Sequence, residues 1–190
     1  MRSDPYFSLK FEDGKLVYID QTGLPSREDF IQTDDYLKVA ESIKRLEIRG
    51  APLIGVAAAY ALALSQKHGY NEEHFHHVAA TLAATRPTAV NLFNALDRMK
   101  KLHYGLPLEN RNYEVFLNEA ISIHREDEGM CEAIAANWSK IFKDNSVVLT
   151  HCNTGKLATG GIGTAFGVIR RGFEAGKVAF VYADETRPLF

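Results

Sequence analysis

The chain has 190 residues, with 24 acidic against 22 basic side chains, a formal charge of −2, and 46 % hydrophobic and 24 % charged residues. That length holds one domain, or one domain and part of another. With no Lys/Arg run, nothing in the sequence supports a nucleic-acid surface. The longest apolar run, LIGVAAAYALAL over residues 53–64, is too short to span a bilayer and reads as a buried helix, so no membrane partner is expected. The N-terminal MRSDPYF puts an acid and a proline where a signal peptide would have its apolar segment. Cys131 and Cys152 do not make a disulfide framework. The expected location is the cytoplasm, where Cys152 stays reduced.

Taken in chain order, residues 7–20 alternate apolar and polar side chains around an Asp-Gly turn and predict a β-hairpin. Pro25 and Ser26 mark a turn. From Asp34 the period changes to helical, with Leu37, Ala40, Ile43 and Leu46 on one expected face, ending at Arg49-Gly50. Pro52 sits near the start of the next helix, where its missing N–H costs nothing. That helix, 52 to about 66, is apolar nearly all round and should be central. Asn71 is an N-cap for a third helix with Glu72 and Glu73 in its first turn. Pro87 breaks it, and a fourth helix follows over 88–103. Residues 111–142 read as one more helix, in which Gly129 allows a bend or a close contact.

After Asn145 the pattern becomes a short β-branched run, a glycine-rich helix start, an amphipathic helix and a second such run. This is a βαβ unit, which implies a parallel sheet with a site at the carboxyl ends of its strands. The predicted fold class is α/β. An N-terminal β-hairpin and helical domain, residues 1–144, precedes the start of a Rossmann-like parallel-sheet domain, residues 145–190. The closing GKVAFVYADETRPLF leaves a strand and its crossover unpaired, so the expectation is a truncated segment of a larger protein.

Chemistry concentrates in THCNTGKLATGG, residues 150–161. Cys152 falls at a strand's carboxyl end, glycines behind it allow backbone to approach a ligand, and the next helix N-terminus can hold an anion or favour a thiolate. The competing reading is a buried small apolar residue. His151 should point to the opposite face, so a His151–Cys152 pair is not expected. GIGTAFG approaches a dinucleotide fingerprint, but its glycines are placed inside the helix and not at its mouth. Arg49 in IRGAPLIG and Arg86 in TRPTAVN each stand at a helix mouth, which suggests one phosphate held from two sides. Either could also be a linker arginine. Asp184, Glu185 and Arg187 follow the second strand and face the same crevice, to orient a polyol or to pair with one another. His74, His76 and His77 lack zinc spacing, and His124 and Asp127 show no ligand pattern. No metal, nicotinamide or pyridoxal site is expected, and hence no cofactor.

The segments RGAPLIGVAAAYALAL, TRPTAVNL, THCNTGKLATGGIGTAFGVIR and VYADETRP resemble the methylthioribose-1-phosphate isomerases. These share a superfamily with ribose-1,5-bisphosphate isomerases and with regulatory subunits of translation initiation factor 2B. The resemblance runs through the whole chain and covers the family's N-terminal half. It implies a β-plus-helical domain against a Rossmann-like domain, and a homodimer or a missing C-terminal half as partner. It also implies an aldose–ketose isomerisation of a small sugar phosphate in methionine salvage. Cys152 matches the catalytic cysteine. Arg49 with the backbone at Gly50 and Ala51 matches a first phosphate loop, and Arg86 a second phosphate ligand. Asn153, Thr154, Gly155 and Asp184 are supporting candidates. The family's acid/base aspartate belongs to the distal half. A ribose-1,5-bisphosphate isomerase and a non-catalytic regulatory subunit are the alternatives.

Overall fold

The computed structural model describes residues 7–184. The expected hairpin is present as β1 (Leu9–Glu12) and β2 (Lys15–Ile19), turned by Asp13 and Gly14 at positive φ. A strand the sequence reading had left in a turn region, β3 (Phe30–Thr33), pairs antiparallel with β2, Tyr18 opposite Ile31. Leu9, Leu16 and Tyr18 point inward from the resulting three-stranded sheet.

The first helix, α1 (Tyr36–Lys44), is shorter than expected. Asp35 caps it, its Oδ1 accepting the Leu37 N–H at 2.8 Å. Leu46 adopts φ 68°, which reverses the chain and lets Ile48 N–H reach the Ser42 carbonyl at 3.1 Å. The buried face is therefore Val39, Ala40 and Ile43; Leu37, placed on that face by periodicity, is 53 % exposed.

The central helix is as the composition demands. In α2 (Ala51–Leu64) every residue from Leu53 to Leu64 is buried. Around it pack α1, α3 (Glu72–Ala83), α4 (Val90–Gly105) and α5 (Tyr113–Trp138). Gly55 permits the α2–α4 approach, since a Cβ there would stand 2.7 Å from the Asn91 carbonyl oxygen. Asn71 caps α3 as read, accepting the His74 N–H at 2.7 Å. Helix α5 runs unbroken past Gly129, which makes no close contact, and ends at Trp138 ahead of the expected 142.

Two further strands, β4 (Ser146–Thr150) and β5 (Val178–Ala183), form a separate parallel pair with α6 (Ala165–Glu174) between them in the chain. This is the expected βαβ unit, packed through α6 onto α5. The helix starts later than predicted. Residues 155–164 are loop with a single 3-10 turn at Lys156–Ala158, so of the glycines in GIGTAFG, Gly161 and Gly163 precede α6 and Gly167 lies inside it, correcting the expected place of the first two in the helix. Val147, Leu149, Phe180 and Tyr182 leave one face of this pair exposed and apolar among the described residues.

The turn that carries Arg49 rests on a buried polar cluster. Tyr18 Oη and Ser42 Oγ lie 2.6 Å apart, Ser42 Oγ donates to Glu47 Oε2 at 2.6 Å, and Lys38 Nζ donates to the same oxygen at 2.8 Å. Burial alone would raise the Glu47 carboxyl, but the Lys38 and Ser42 hydrogen bonds outweigh it and hold it below the usual range. A folded value below the unfolded one means stability that is complete above the ordinary glutamate range and is lost as pH falls through the folded value. Glu47→Ala should cost about 2–3 kcal/mol at neutral pH, from unpaired buried hydroxyls and a lost ion pair. Urea melts of both proteins along a falling pH series check this: the gap should narrow as pH passes through the folded Glu47 value.

Candidate active site

Cys152 follows β4 by two residues and sits in the left-handed region at φ 66°. A non-glycine side chain there is uncommon and marks a backbone held by its surroundings. The two neighbours have different surroundings: Cys152 lines a cavity with Asn153 and Phe166, and His151 reaches Asp184. His151 Nδ1 meets Asp184 Oδ2 at 2.8 Å, and the Asp184 N–H donates to the Thr150 carbonyl at 3.1 Å. Asp184 thus ties the ends of β4 and β5 together. Glu185 and Arg187 lie outside the described residues. Cys152 is exposed and Cys131 buried, so the packed-residue reading fits Cys131 and not Cys152.

Arg49 and Arg86 come to this thiol from different elements. Arg49 precedes α2, whose first turn has no capping side chain, and Gly50 is its N-cap at φ 96°. The backbone amide of Ala51 therefore opens an uncapped helix N-terminus, the environment that favours an anion. Arg86 ends the turn before α4, which also lacks a side-chain cap. The Arg49 guanidinium is held below the usual arginine range, first by burial; Cys152 acts to raise it and Arg86 to lower it, so Arg49 feels both groups. Arg86 Nη1 is buried with no hydrogen-bond partner, and neither arginine forms an ion pair among the described residues. Two guanidinium groups in one partly buried place without a carboxylate are mutually repulsive, and an anion between them relieves both costs.

The glycine-rich loop closes the arrangement. A Cβ on Gly50 would stand 2.3 Å from the Ala158 Cα, so the arginine loop and the cysteine loop touch backbone to backbone. Asn153 Oδ1 accepts the Gly155 N–H at 3.4 Å, and the Thr154 carbonyl accepts the Thr164 N–H at 2.8 Å. Asn153, Thr154 and Gly155 line a cavity of about 440 Å³ with Thr150, Cys152 and Phe166. Thr150 Oγ1 is buried there with no hydrogen-bond partner. On the other side of the loop a cavity of about 450 Å³ opens between β1 and α5.

Several residues that shape this site escaped the sequence reading. Buried Gln21 donates through Nε2 to the Leu157 carbonyl at 2.7 Å, and Ser8 Oγ donates to the Thr159 carbonyl at 3.1 Å. His124 and Asp127, passed over for lack of a ligand pattern, both bond Gly160. Their spacing of three along a helix was the available signal. Histidine geometry also differs from expectation: His76, not His74 or His77, faces Glu72 and the distant His103. Arg111 Nη1 lies 3.5 Å from Glu72 Oε1 and 3.3 Å from His103 Nε2, and Tyr70 Oη lies 2.6 Å from that nitrogen. The His103 Nε2 and Glu72 Oε1 atoms already face these donors, beside a permanent positive charge, so the cluster does not fit a metal.

Fold and site together describe a two-sheet α/β protein with an exposed thiol just past a strand end and two arginines at helix mouths, neither in an ion pair among the described residues. The chain belongs to the initiation factor 2 subunit family, whose model matches residues 47–190. Among curated relatives, the methylthioribose-1-phosphate isomerase of Geotalea uraniireducens is 46% identical over 190 residues, which is 95% of this chain and 55% of that protein. The isomerase of the same name from Cronobacter sakazakii is 46% identical over 183 residues, 96% of this chain and 52% of that one. The chain therefore spans about half the length of the curated relatives it matches. The crystal structure of 5-methylthioribose 1-phosphate isomerase from Pyrococcus horikoshii superposes with a TM-score of 0.87 at 34% identity, covering 97% of this chain and 54% of that one. A translation initiation factor eIF-2B delta subunit from A. fulgidus gives 0.82 at 38% identity, over 96% of this chain and 55% of that one. Among the described residues no helix is long and apolar enough to cross a membrane.

Proposed function

We propose that this protein is an aldose–ketose isomerase acting on 5-methylthioribose 1-phosphate, in the cytoplasm, as a step of methionine salvage. The observation that supports the reading is that Arg49 lies within electrostatic reach of both Cys152 and Arg86, while Arg86 Nη1 is buried with no partner among the described residues. The anomeric oxygen of this substrate carries the phosphate, so the sugar cannot open freely to an aldehyde. Ring opening needs a proton at the ring oxygen, and the carbon skeleton must then exchange hydrogen between C2 and C1. Arg49, Arg86 and the Gly50–Ala51 backbone hold the phosphate and with it C1 and C2. The Cys152 thiol is the proton-carrying group of this half of the site, paired with an aspartate supplied by the family's distal half. The cavity beside Thr150 and Phe166 takes the sugar and its methylthio tail. We place the boundary between the two domains near residue 144, and we propose a homodimer as the working assembly.

A non-catalytic regulatory subunit is the other reading the family allows. Such a scaffold has no chemical use for an exposed thiol facing two unpaired arginines.

Arg49→Ala and Arg86→Ala, made at full native length, test the phosphate assignment. Each removes a charge-assisted contact of about 1.5–3 kcal/mol, so KM for 5-methylthioribose 1-phosphate should rise by about 10–150-fold. Steady-state kinetics with ribose 1,5-bisphosphate assayed alongside separates the two isomerase chemistries. An unchanged KM in both variants removes the phosphate from this place.

A further inference from the structure

The loop that carries Cys152 is gripped from behind by α5. Asp127 Oδ2 accepts the Gly160 N–H at 2.6 Å, and His124 Nε2 lies 3.2 Å from the Gly160 carbonyl oxygen. A carbonyl only accepts, so Nε2 carries a proton, and Nδ1 lies 3.2 Å from the Tyr60 hydroxyl. Both side chains are buried, His124 at 9% and Asp127 at 8% exposure. A buried imidazole and carboxylate are costly unless their hydrogen bonds are made, and here the bonds go to one residue of another segment.

That residue has to be glycine. A Cβ at position 160 would stand 2.5 Å from His124 Cδ2, and one at Gly161 would stand 2.9 Å from the Glu128 Cα, so the loop lies flush on the helix. Thr159 Oγ1 donates to the Gly161 carbonyl at 3.1 Å, and the Thr159 carbonyl is taken by Ser8. Next before these residues comes Ala158, which abuts Gly50. The contact line thus runs from α5 through Gly160 and Ala158 to the arginine loop, with Cys152 at the other end of the same segment.

Resting on the isomerase reading above, we propose that His124 and Asp127 are positioning residues that grip both polar groups of Gly160. Through it they fix the Cys152 thiol relative to the Arg49–Gly50 anion loop. Neither touches substrate. Their loss should separate two parts of the site that are each still intact.

The test compares variants that release the grip, His124→Leu and Asp127→Ala, with variants that keep it. His124→Gln keeps a donor at the Nε2 position, and Asp127→Asn keeps an acceptor. At full native length, alkylation of Cys152 by iodoacetamide is followed by peptide mass spectrometry, with and without inorganic phosphate, and turnover of 5-methylthioribose 1-phosphate is measured alongside. In the unsubstituted protein phosphate should slow alkylation about fivefold or more, and the release variants should keep less than about a twofold effect. Their kcat should fall about tenfold or more with KM changed by less than about threefold, because the arginines stay on their own elements. The Gln and Asn variants should recover most of both. If His124→Leu does not fold, His124→Asn, whose amide reaches only the Nδ1 position, carries the same expectation. Release variants that only melt earlier, with phosphate protection and kcat intact, overturn the proposal, as does an unsubstituted protein that phosphate does not protect. Phosphate protection without isomerase turnover in the unsubstituted protein sinks the isomerase reading alone, and the positioning role is then judged on protection.

Discussion

Replacing Cys152 by alanine at full native length is expected to lower kcat for 5-methylthioribose 1-phosphate by about 10²–10⁴-fold, the range for loss of a positioned proton-transfer group. KM should change little, because the phosphate is held by Arg49, Arg86 and the Gly50–Ala51 backbone. Those groups belong to the start of α2 and the turn before α4, not to the cysteine loop. The fold should survive. The side chain is exposed, so its removal leaves no core cavity. Alanine is strained at φ 66°, but so is the cysteine it replaces, and the melting temperature should move by only a few degrees. Steady-state kinetics and a thermal melt on the same preparation decide the matter. A variant with normal kcat would return Cys152 to the role of an ordinary loop residue. Cys152→Ser, which keeps a weaker proton donor of similar size, should fall between the two.

Residues 1–190 expressed alone should turn over substrate at least about 10²-fold more slowly than the same residues joined to the distal part of the Geotalea uraniireducens relative. This expectation comes from the relatives, which are nearly twice as long as the matched segment. Resemblance to the family places the acid/base aspartate in that distal part. The exposed apolar face of Val147, Leu149, Phe180 and Tyr182 agrees, since a parallel pair is ordinarily covered on both sides. Phosphate binding should outlast the loss of turnover, because Arg49, Arg86 and Cys152 are all present. Titration with inorganic phosphate, read by protection of Cys152 from iodoacetamide, separates binding from chemistry in the isolated segment. Equal turnover by the two forms would place the second catalytic group inside residues 1–190.

The sequence by itself determined the elements and the chemistry along them. Alternation around Asp13-Gly14 specified the hairpin, an unbroken apolar run specified the central α2, and a strand, glycine-rich stretch, helix and strand specified the parallel pair with Cys152 at a strand end. These are local consequences of side-chain period and turn chemistry. Tertiary structure decided the rest. It turned Leu37 outward, because the face α1 presents to α2 is set by where the preceding strand delivers the helix, and it added β3 as a partner for the open edge of β2. It moved the start of α6 to Ala165, because Thr159 and Gly160 are held by Ser8, His124 and Asp127 before a helix can begin. Above all it brought Arg49 within electrostatic reach of both Cys152 and Arg86. Taken singly, Arg49 reads equally well as a linker residue and Arg86 more readily as a structural one. Only the close packing of α2 against α4 at Gly55, and of Gly50 against Ala158, joins the elements that carry them, and such contacts between distant segments leave no period in the chain.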